Sequence, residues 1–268
     1  MPKNIDACLR HSPSLVWVAL ALAVSAFGQP PGRGGRGGPP PTPQAAAPVD
    51  FTGYWVSVVT EDWRWRMVTP LKGDAASIPI NAEARKIVDA WDPAKDEAAG
   101  LQCKAYGAPA IMRVPGRLHV TWQDDNTLRV ETDAGTETRL FHFGGQPPAR
   151  VEPSWQGYSA ARWEAGESAP GGGLGLARRA GTQSRTLEVV TTQLRPGYLR
   201  KNGVPYSENA VLTEYYDVIR GTDGTPWLVI SSTVDDPQYL RMNFITSSNF
   251  KKVADGSGWD PSPCSARW

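Results

Sequence analysis

The side chains best suited to acid–base chemistry in this sequence are two histidines and one glutamate in strand-like segments. His119 and His142 fall on separate predicted strands near one hairpin, so they could approach each other, and histidine titrates near neutral pH. Glu214 lies in the segment 213–217, and a carboxylate turned into a barrel would have the raised pKa of an acid or base catalyst. The alternative for Glu214 is an ordinary outward position, because every second strand residue faces solvent.

Metal and nucleophile patterns are weaker. Two histidines without a patterned third ligand make a poor zinc or copper site, so we expect no metal and no cofactor.

Ser159 follows Trp155-Gln-Gly-Tyr, which lacks the second glycine of a nucleophile elbow. Residues 235–237, Asp-Asp-Pro, indicate a turn rather than a metal site, and the glycines of 171–175 lack the preceding strand of a phosphate loop.

Aromatic side chains offer a binding surface. Trp63 and Trp65 are two residues apart, and on a strand both would face one side, giving a flat surface for an aromatic, terpenoid or acyl ligand. Ordinary core packing is an equally good interpretation, since small barrels fill their interior with side chains. The predicted ligand-binding residues are Trp63, Trp65, Trp122, Trp155, Tyr158, Tyr198, Arg200 and Tyr215.

One long segment, residues 195–208, mixes turn formers with cationic and aromatic side chains. It is typical of a lid over a barrel mouth, in which Arg200 or Lys201 would meet a carboxylate or phenolate of a ligand. A long solvated connection is the alternative interpretation.

These residues need a sheet to position them, and the sequence predicts one. Apolar residues recur at every second position in short runs separated by turn residues, as in the hairpin around Asp124-Asp125-Asn126. The predicted strands are 117–122, 128–131, 136–143, 186–194, 211–219, 227–234 and 244–251. Short turns between consecutive strands indicate a mainly β, antiparallel meander. One flanking helix is predicted, with Asn81 as N-cap and Asp92-Pro93 at its end.

The beginning of the chain has the layout of a secretory signal peptide. Lys3 and Arg10 precede the apolar run 15–27, which is shorter than the roughly 20 residues of a spanning helix and ends in small residues. A single membrane anchor is the alternative. We expect residues 1–28 to be removed, residues 29–48 to form a disordered Gly/Arg/Pro linker, and residues 49–268 to form a single β-barrel domain without stable membrane insertion. The location would be periplasmic or secreted.

Cysteine and charge usage fit that location. Cys8 leaves with the signal peptide, so Cys103 and Cys264 are expected to form a disulfide in an oxidising compartment, with two free thiols as the alternative. The linker carries an RGG-like run, but a formal net charge of +1 gives no basic surface for nucleic acid. We therefore predict no nucleic-acid partner.

Several motifs resemble those of a large, functionally uncharacterised family of exported bacterial proteins, with most of residues 51–251 involved. They are Thr52-Gly53-Tyr54-Trp55, Trp155-Gln-Gly-Tyr-Ser159 with Trp163-Glu164, Ser207-Glu208, Thr213-Glu214 and Asp236-Pro237-Gln238-Tyr239. The chain departs from the family pattern in the loop 165–185. No agreed activity attaches to that family, so the resemblance implies export and a β fold only.

The opening Gly53-Tyr54-Trp55 is also similar to the first strand of lipocalin-like barrels. Together with a meander and a flanking helix, this favours an antiparallel lipocalin/calycin-like barrel over a flat sandwich. The sequence therefore predicts an exported β-barrel with an aromatic cavity that binds a small hydrophobic or aromatic molecule. The alternative is a barrel hydrolase, isomerase or lyase that acts on such a molecule through a carboxylate or histidine.

Overall fold

Thirteen strands lie in the part of the chain that the structure, a computed structural model, describes: residues 39–145, 148, 151–164 and 185–267. The strands are β1 Gly53–Val58, β2 Arg117–Asp124, β3 Thr127–Thr132, β4 Ala134–Gly135, β5 Thr138–Phe143, β6 Tyr158–Trp163, β7 Leu187–Thr192, β8 Gly197–Arg200, β9 Val204–Tyr206, β10 Val211–Arg220, β11 Pro226–Asp235, β12 Phe244–Val253 and β13 Ser262–Pro263. The predicted signal peptide, the first half of the predicted linker and the glycine-rich stretch fall outside these residues.

Nine of the strands form a closed barrel in the order β1-β12-β11-β10-β7-β6-β5-β3-β2. The prediction of a mainly β barrel is confirmed. Neighbouring strands run antiparallel with one exception, since β5 and β6 pair in parallel. The expected meander is broken there because 14 residues separate the end of β5 from the start of β6, whereas a two-residue hairpin turn would make the next strand run antiparallel.

Each of the seven predicted segments contains a strand. They were predictable because one face of each strand is buried, so apolar residues recur at every second position. The hairpin of β2 and β3 turns where it was predicted, with the Asn126 amide donating to Asp124 Oδ1 at 2.8 Å. Sequence reasoning did not predict the strand β6. It also did not predict that residues 195–208 contain the hairpin of β8 and β9.

The helices of the described residues are short: α1 Trp63–Arg66, α2 Ala82–Ala90, α3 Pro93–Ala98, a 3₁₀ helix Gln102–Tyr106, and α4 Ala108–Ile111. Only α2 was predicted. Its N-cap Asn81 accepts hydrogen bonds from the amides of Glu83 and Ala84, and Ala84 and Val88 are buried. The others have four to six residues, too few for a helical period of apolar residues to be visible in sequence. No helix among the described residues is long and apolar enough to cross a membrane.

The interior of the barrel is filled with side chains. One apolar cluster occupies it, and its fully buried members include Trp55, Phe141, Leu187 and Phe250. A second cluster lies between α2, the β8–β9 hairpin and the adjacent end of the barrel, around Tyr206. The barrel therefore has one end covered by helices and a hairpin.

The C-terminal part of the chain is joined to the helical region through Cys103 and Cys264. Their sulfurs lie 2.10 Å apart, the distance of a disulfide, so the predicted pairing is confirmed. Cys103 lies in the 3₁₀ helix, and Cys264 follows β13, which pairs with β4. The carboxylate of Glu137 lies close to both sulfurs, but a disulfide leaves neither sulfur available as a thiolate ligand for a metal ion.

Candidate functional site

A cleft of about 860 Å³ opens at the mouth of the barrel away from the covered end. Its walls include Trp55 from β1, Trp122 from β2, Val218 from β10 and Lys252 from β12. Gln44, Ala47 and Pro48 also line it, so the end of the predicted linker contributes to the site. The volume is that of an ordinary small-molecule site.

Strand pairing positions the centre of this mouth. Trp55 of β1 lies directly opposite Lys252 of β12 in the antiparallel register. The Lys252 ammonium lies 4.4 Å from the centroid of the Trp55 ring and donates a hydrogen bond to the Thr52 carbonyl. Trp55 is fully buried, and its Nε1 donates to the Phe51 carbonyl at 2.9 Å. Burial lowers the pKa of Lys252.

An aromatic layer extends from Trp122, on the wall of the cleft, to three neighbouring rings. Trp122 lies 5.5 Å from Phe143, Phe143 lies 5.3 Å from Trp163, and Trp163 stacks on Phe51 at 5.9 Å, all measured between ring centroids. Each ring therefore packs against its neighbour in the layer. A ligand at the mouth would rest on the upper edge of this layer, at Trp122.

The charges around the mouth are mainly positive. Lys252, Arg185 and Arg220 line the cleft, against one carboxylate, Asp50. Both arginines are exposed, and Asp50 accepts hydrogen bonds from the backbone and hydroxyl of Thr52. The site therefore combines aromatic surface with a surplus of cations, which favours an apolar molecule that carries an acidic group.

Of the eight predicted ligand-binding residues, only Trp122 lines this mouth. Trp63 and Trp65 lie in α1, so the prediction that they share a strand face is wrong. Asp62 precedes them with φ at 52°, which ends extended structure, and residues two apart on a helix do not face one direction. Trp63 is 68% exposed, whereas Trp65 donates from Nε1 to Asp74 at 2.9 Å.

The remaining aromatic candidates are dispersed. Tyr158 and Tyr215 alternate with inward residues and lie on the outer face of the barrel. Trp155 donates to the Pro196 carbonyl outside the barrel. Tyr198 donates to Asp96 at 2.9 Å, and burial together with that carboxylate raises the pKa of Tyr198.

The segment 195–208 contains a packed hairpin at the covered end of the barrel, so it is neither a lid over the mouth cleft nor a solvated connection. Arg200 and Lys201 are 6% and 5% exposed, and Val204 and Tyr206 of β9 are fully buried. Arg200 and Trp65 line a separate small cavity beside α1.

The two histidines lie on the outer face of the barrel, on β2 and β5, with β3 between them and at different levels of the register. His119 Nδ1 lies 3.2 Å from a Glu131 oxygen, and its ring stacks on Tyr54 at 4.2 Å. His142 stacks on Tyr158 at 4.9 Å, and burial lowers its pKa. The structure does not bring them together.

Glu214 points into the barrel and forms an ion pair with Arg139. The two Arg139–Glu214 hydrogen bonds are 3.0 and 2.6 Å long, and both side chains are 1% exposed or less. Arg139 also donates to Thr191 and Tyr216, and Ser159 is hydrogen-bonded to Thr191 at 2.8 Å. Among the described residues, this network is separate from the lining of the mouth cleft.

Sequence reasoning missed Lys252 and Arg220. Lys252 follows Phe250 on the inward face of β12, and Arg220 follows Val218 on the inward face of β10. The predicted strands ended at 251 and 219, one residue before each of these cations. An inward cation at the end of an alternating strand was the signal that could have identified the mouth.

Comparison of the chain with protein-family models, with curated proteins and with solved structures finds no match.

Proposed function

We propose that this chain is an exported, lipocalin-like binding protein whose barrel mouth holds a small aromatic or otherwise apolar molecule with an acidic group. The observation that carries the proposal is the mouth cleft, where Trp122 and Val218 offer apolar surface and Lys252 supplies a cation from the inner face of the barrel. A barrel covered at one end and open at the other supports this mode of binding, as does a volume suited to one small ligand.

The disulfide supports export, because such bonds persist in oxidising compartments. The signal-peptide layout of residues 1–28 supports it independently. A periplasmic or secreted protein with this site would act as a carrier or scavenger of its ligand.

The barrel-enzyme alternative has less support. His119 and His142 lie on the outer face, and Glu214 is engaged by Arg139. Among the described residues, none of these three lines the mouth cleft. Loss of turnover with retained binding in Glu214→Gln or His142→Ala would favour the enzyme.

The test compares two fluorescent probes of similar shape: anionic anilinonaphthalene sulfonate and uncharged phenylnaphthylamine. We expect the anionic probe to bind at least about tenfold more tightly, because a hydrogen bond to a charged group contributes about 1.5–3 kcal/mol. Lys252→Met keeps the aliphatic cover over Trp55 and removes the inward charge, so it should reduce that preference while Arg185 and Arg220 remain.

The matched control is Lys251→Met, on the neighbouring residue of the same strand. Lys251 lies on the outer face, near Asp223 and Trp227, and its removal should leave both affinities within about twofold. Equal binding of the anionic probe by the wild type and Lys252→Met would contradict the proposed site.

A further inference from the structure

A second cavity, lined by four cationic side chains, lies at the covered end of the barrel. Arg66 comes from α1, Arg113 follows α4, and Arg200 and Lys201 come from the end of β8 and the turn after it. Their exposed fractions are 3%, 9%, 6% and 5%. Four cations this deeply buried around one space are unusual, since lysine and arginine side chains are almost never fully buried.

The two terminal guanidinium nitrogens of Arg66 make no hydrogen bond among the described residues. Its Nε donates to the Arg113 carbonyl at 2.9 Å, but neither terminal nitrogen has a hydrogen-bond partner among the described residues. Arg113 Nη2 donates to a carboxylate oxygen of Asp62 at 2.7 Å, whereas its Nη1 has no partner within the described part of the chain. Buried donors of this kind destabilise a fold unless something accepts from them.

The neighbouring carboxylates leave the terminal nitrogens of Arg66 without a hydrogen bond. Asp62 accepts from Arg113, and Asp74 accepts from Trp65, Arg64 and the Ala76 amide. A buried oxygen of Glu61 also has no partner among the described residues, so Glu61 acts on Arg66 through its charge and accepts no hydrogen bond from it there. Burial and the charge of Arg113 lower the pKa of Arg66 to about 10, and burial lowers that of Lys201 to about 8.

The remaining contacts hold the cavity in shape. Arg200 donates to the Ala76 carbonyl at 3.0 Å and to the Ser77 hydroxyl at 3.1 Å, and its guanidinium lies 4.8 Å from the Trp65 ring centroid. Lys201 donates to the Tyr106 hydroxyl at 2.5 Å. The cations are therefore fixed by contacts of their own and do not depend on a ligand for their position.

We infer that this cavity, bounded by Arg66, Arg113, Arg200 and Lys201, binds a small oxyanion group through the unpartnered guanidinium nitrogens. Its volume is about 30 Å³, where one water needs at least about 10–15 Å³, so it holds a carboxylate or one face of a tetrahedral anion and excludes an aromatic body. The planar fork of arginine matches both groups.

This site is separate from the mouth cleft. The two share no lining residue, so the inference stands independently of the proposed function. The oxyanion is either a free inorganic ion or the carboxylate of a small organic molecule, and the experiment distinguishes these two sources.

The test uses the full mature protein and measures Tm against millimolar phosphate, sulfate or acetate, with chloride at the same ionic strength as reference. We expect a saturable rise in Tm with at least one oxyanion, and one binding site per chain by calorimetry. Preference for phosphate or sulfate assigns a free tetrahedral ion, and preference for acetate assigns a carboxylate. The absence of stabilisation beyond chloride by all three anions would overturn the inference and indicate that Glu61 turns to pair with Arg66.

Arg66→Met should remove the oxyanion-dependent rise, whereas Arg64→Met should keep it within about twofold in affinity. Arg64 is in the same helix, but its side chain is 60% exposed and it does not line the cavity. Arg66→Lys is a second variant that keeps the charge and loses the fork, and it should bind at least about tenfold more weakly. Retained binding in either Arg66 variant, or equal loss in Arg64→Met, would refute the site.

Discussion

Glu214 and Arg139 show how a polar side chain can occupy the inside of a packed barrel. Alternation along β10 places Glu214 inward between Leu212 and Tyr216, where an unpaired carboxylate would be strongly unfavourable. Arg139 removes that penalty with two hydrogen bonds and leaves Glu214 without the freedom of a catalytic acid. Burial, and then the charge of Glu214, raise the pKa of Tyr216 well above its usual value.

We expect Glu214→Gln to lower the free energy of unfolding by about 3–5 kcal/mol, because it leaves Arg139 buried without a counter-charge. The double variant Arg139→Met/Glu214→Leu should recover most of that loss, since apolar replacements remove both charges. Urea unfolding followed by circular dichroism measures the free energy of unfolding of the single and the double variant.

The control for this pair is Glu131→Gln, which removes a half-buried partner of Arg129 on the outer face and should cost about 1 kcal/mol or less. A cost for Glu214→Gln as small as that of the control would show that the interior pair is weakly coupled.

The elements differ in how far sequence could predict them. The long strands were predictable because each has one buried face, and α2 was predictable from its cap and its apolar stripe. The parallel pairing of β5 with β6 depends on how a long connection crosses the barrel, which no local pattern encodes. The candidate sites show the same difference between long and short elements. Trp122 lies on a predicted strand and lines the mouth cleft. Arg200 and Lys201 were candidates from sequence, but the cavity that they line also needs Arg66 of α1 and Arg113 after α4, and neither helix was predicted.

Helix α2 provides a test at this scale. Asn81→Ala removes the acceptor for the Glu83 and Ala84 amides, both at 3.0 Å, and should lower the free energy of unfolding by about 1 kcal/mol. Asn81→Asp keeps the capping oxygen and loses only the donor to the Gln238 carbonyl, so it should be the milder change. Thermal unfolding of the two variants measures the difference, and equal losses would assign the role of Asn81 to the Gln238 contact.

Across the whole molecule, the disulfide connects two parts of the chain that are 161 residues apart. Its sulfurs join the 3₁₀ helix next to the cationic cavity with the segment after β13. A crosslink that closes so long a loop restricts the unfolded chain strongly.

Protein recovered from the exported fraction should begin at Gln29 and have no alkylatable thiol by intact mass without reductant. Reduction, or the double variant Cys103→Ala/Cys264→Ala, should lower the free energy of unfolding by about 2–5 kcal/mol. The variant also serves as the control for reductant, because added reductant should not destabilise it further. Two alkylatable thiols in the exported protein would contradict both the pairing and its contribution to stability.

The closure of the barrel between β1 and β12 also determines when this chain can fold. Tyr54 of β1 pairs with Val253 of β12, so β1 cannot complete its pairing until a segment about 200 residues later is available. The hydrogen bond from Lys252 to the Thr52 carbonyl spans the same separation. Pairing over such separations is slow, because the chain loses the entropy of loop closure before the stabilising contacts form. Until β12 has been synthesised and has paired with β1, one edge of β1 stays open, and during that interval the chain is most exposed to intermolecular strand pairing.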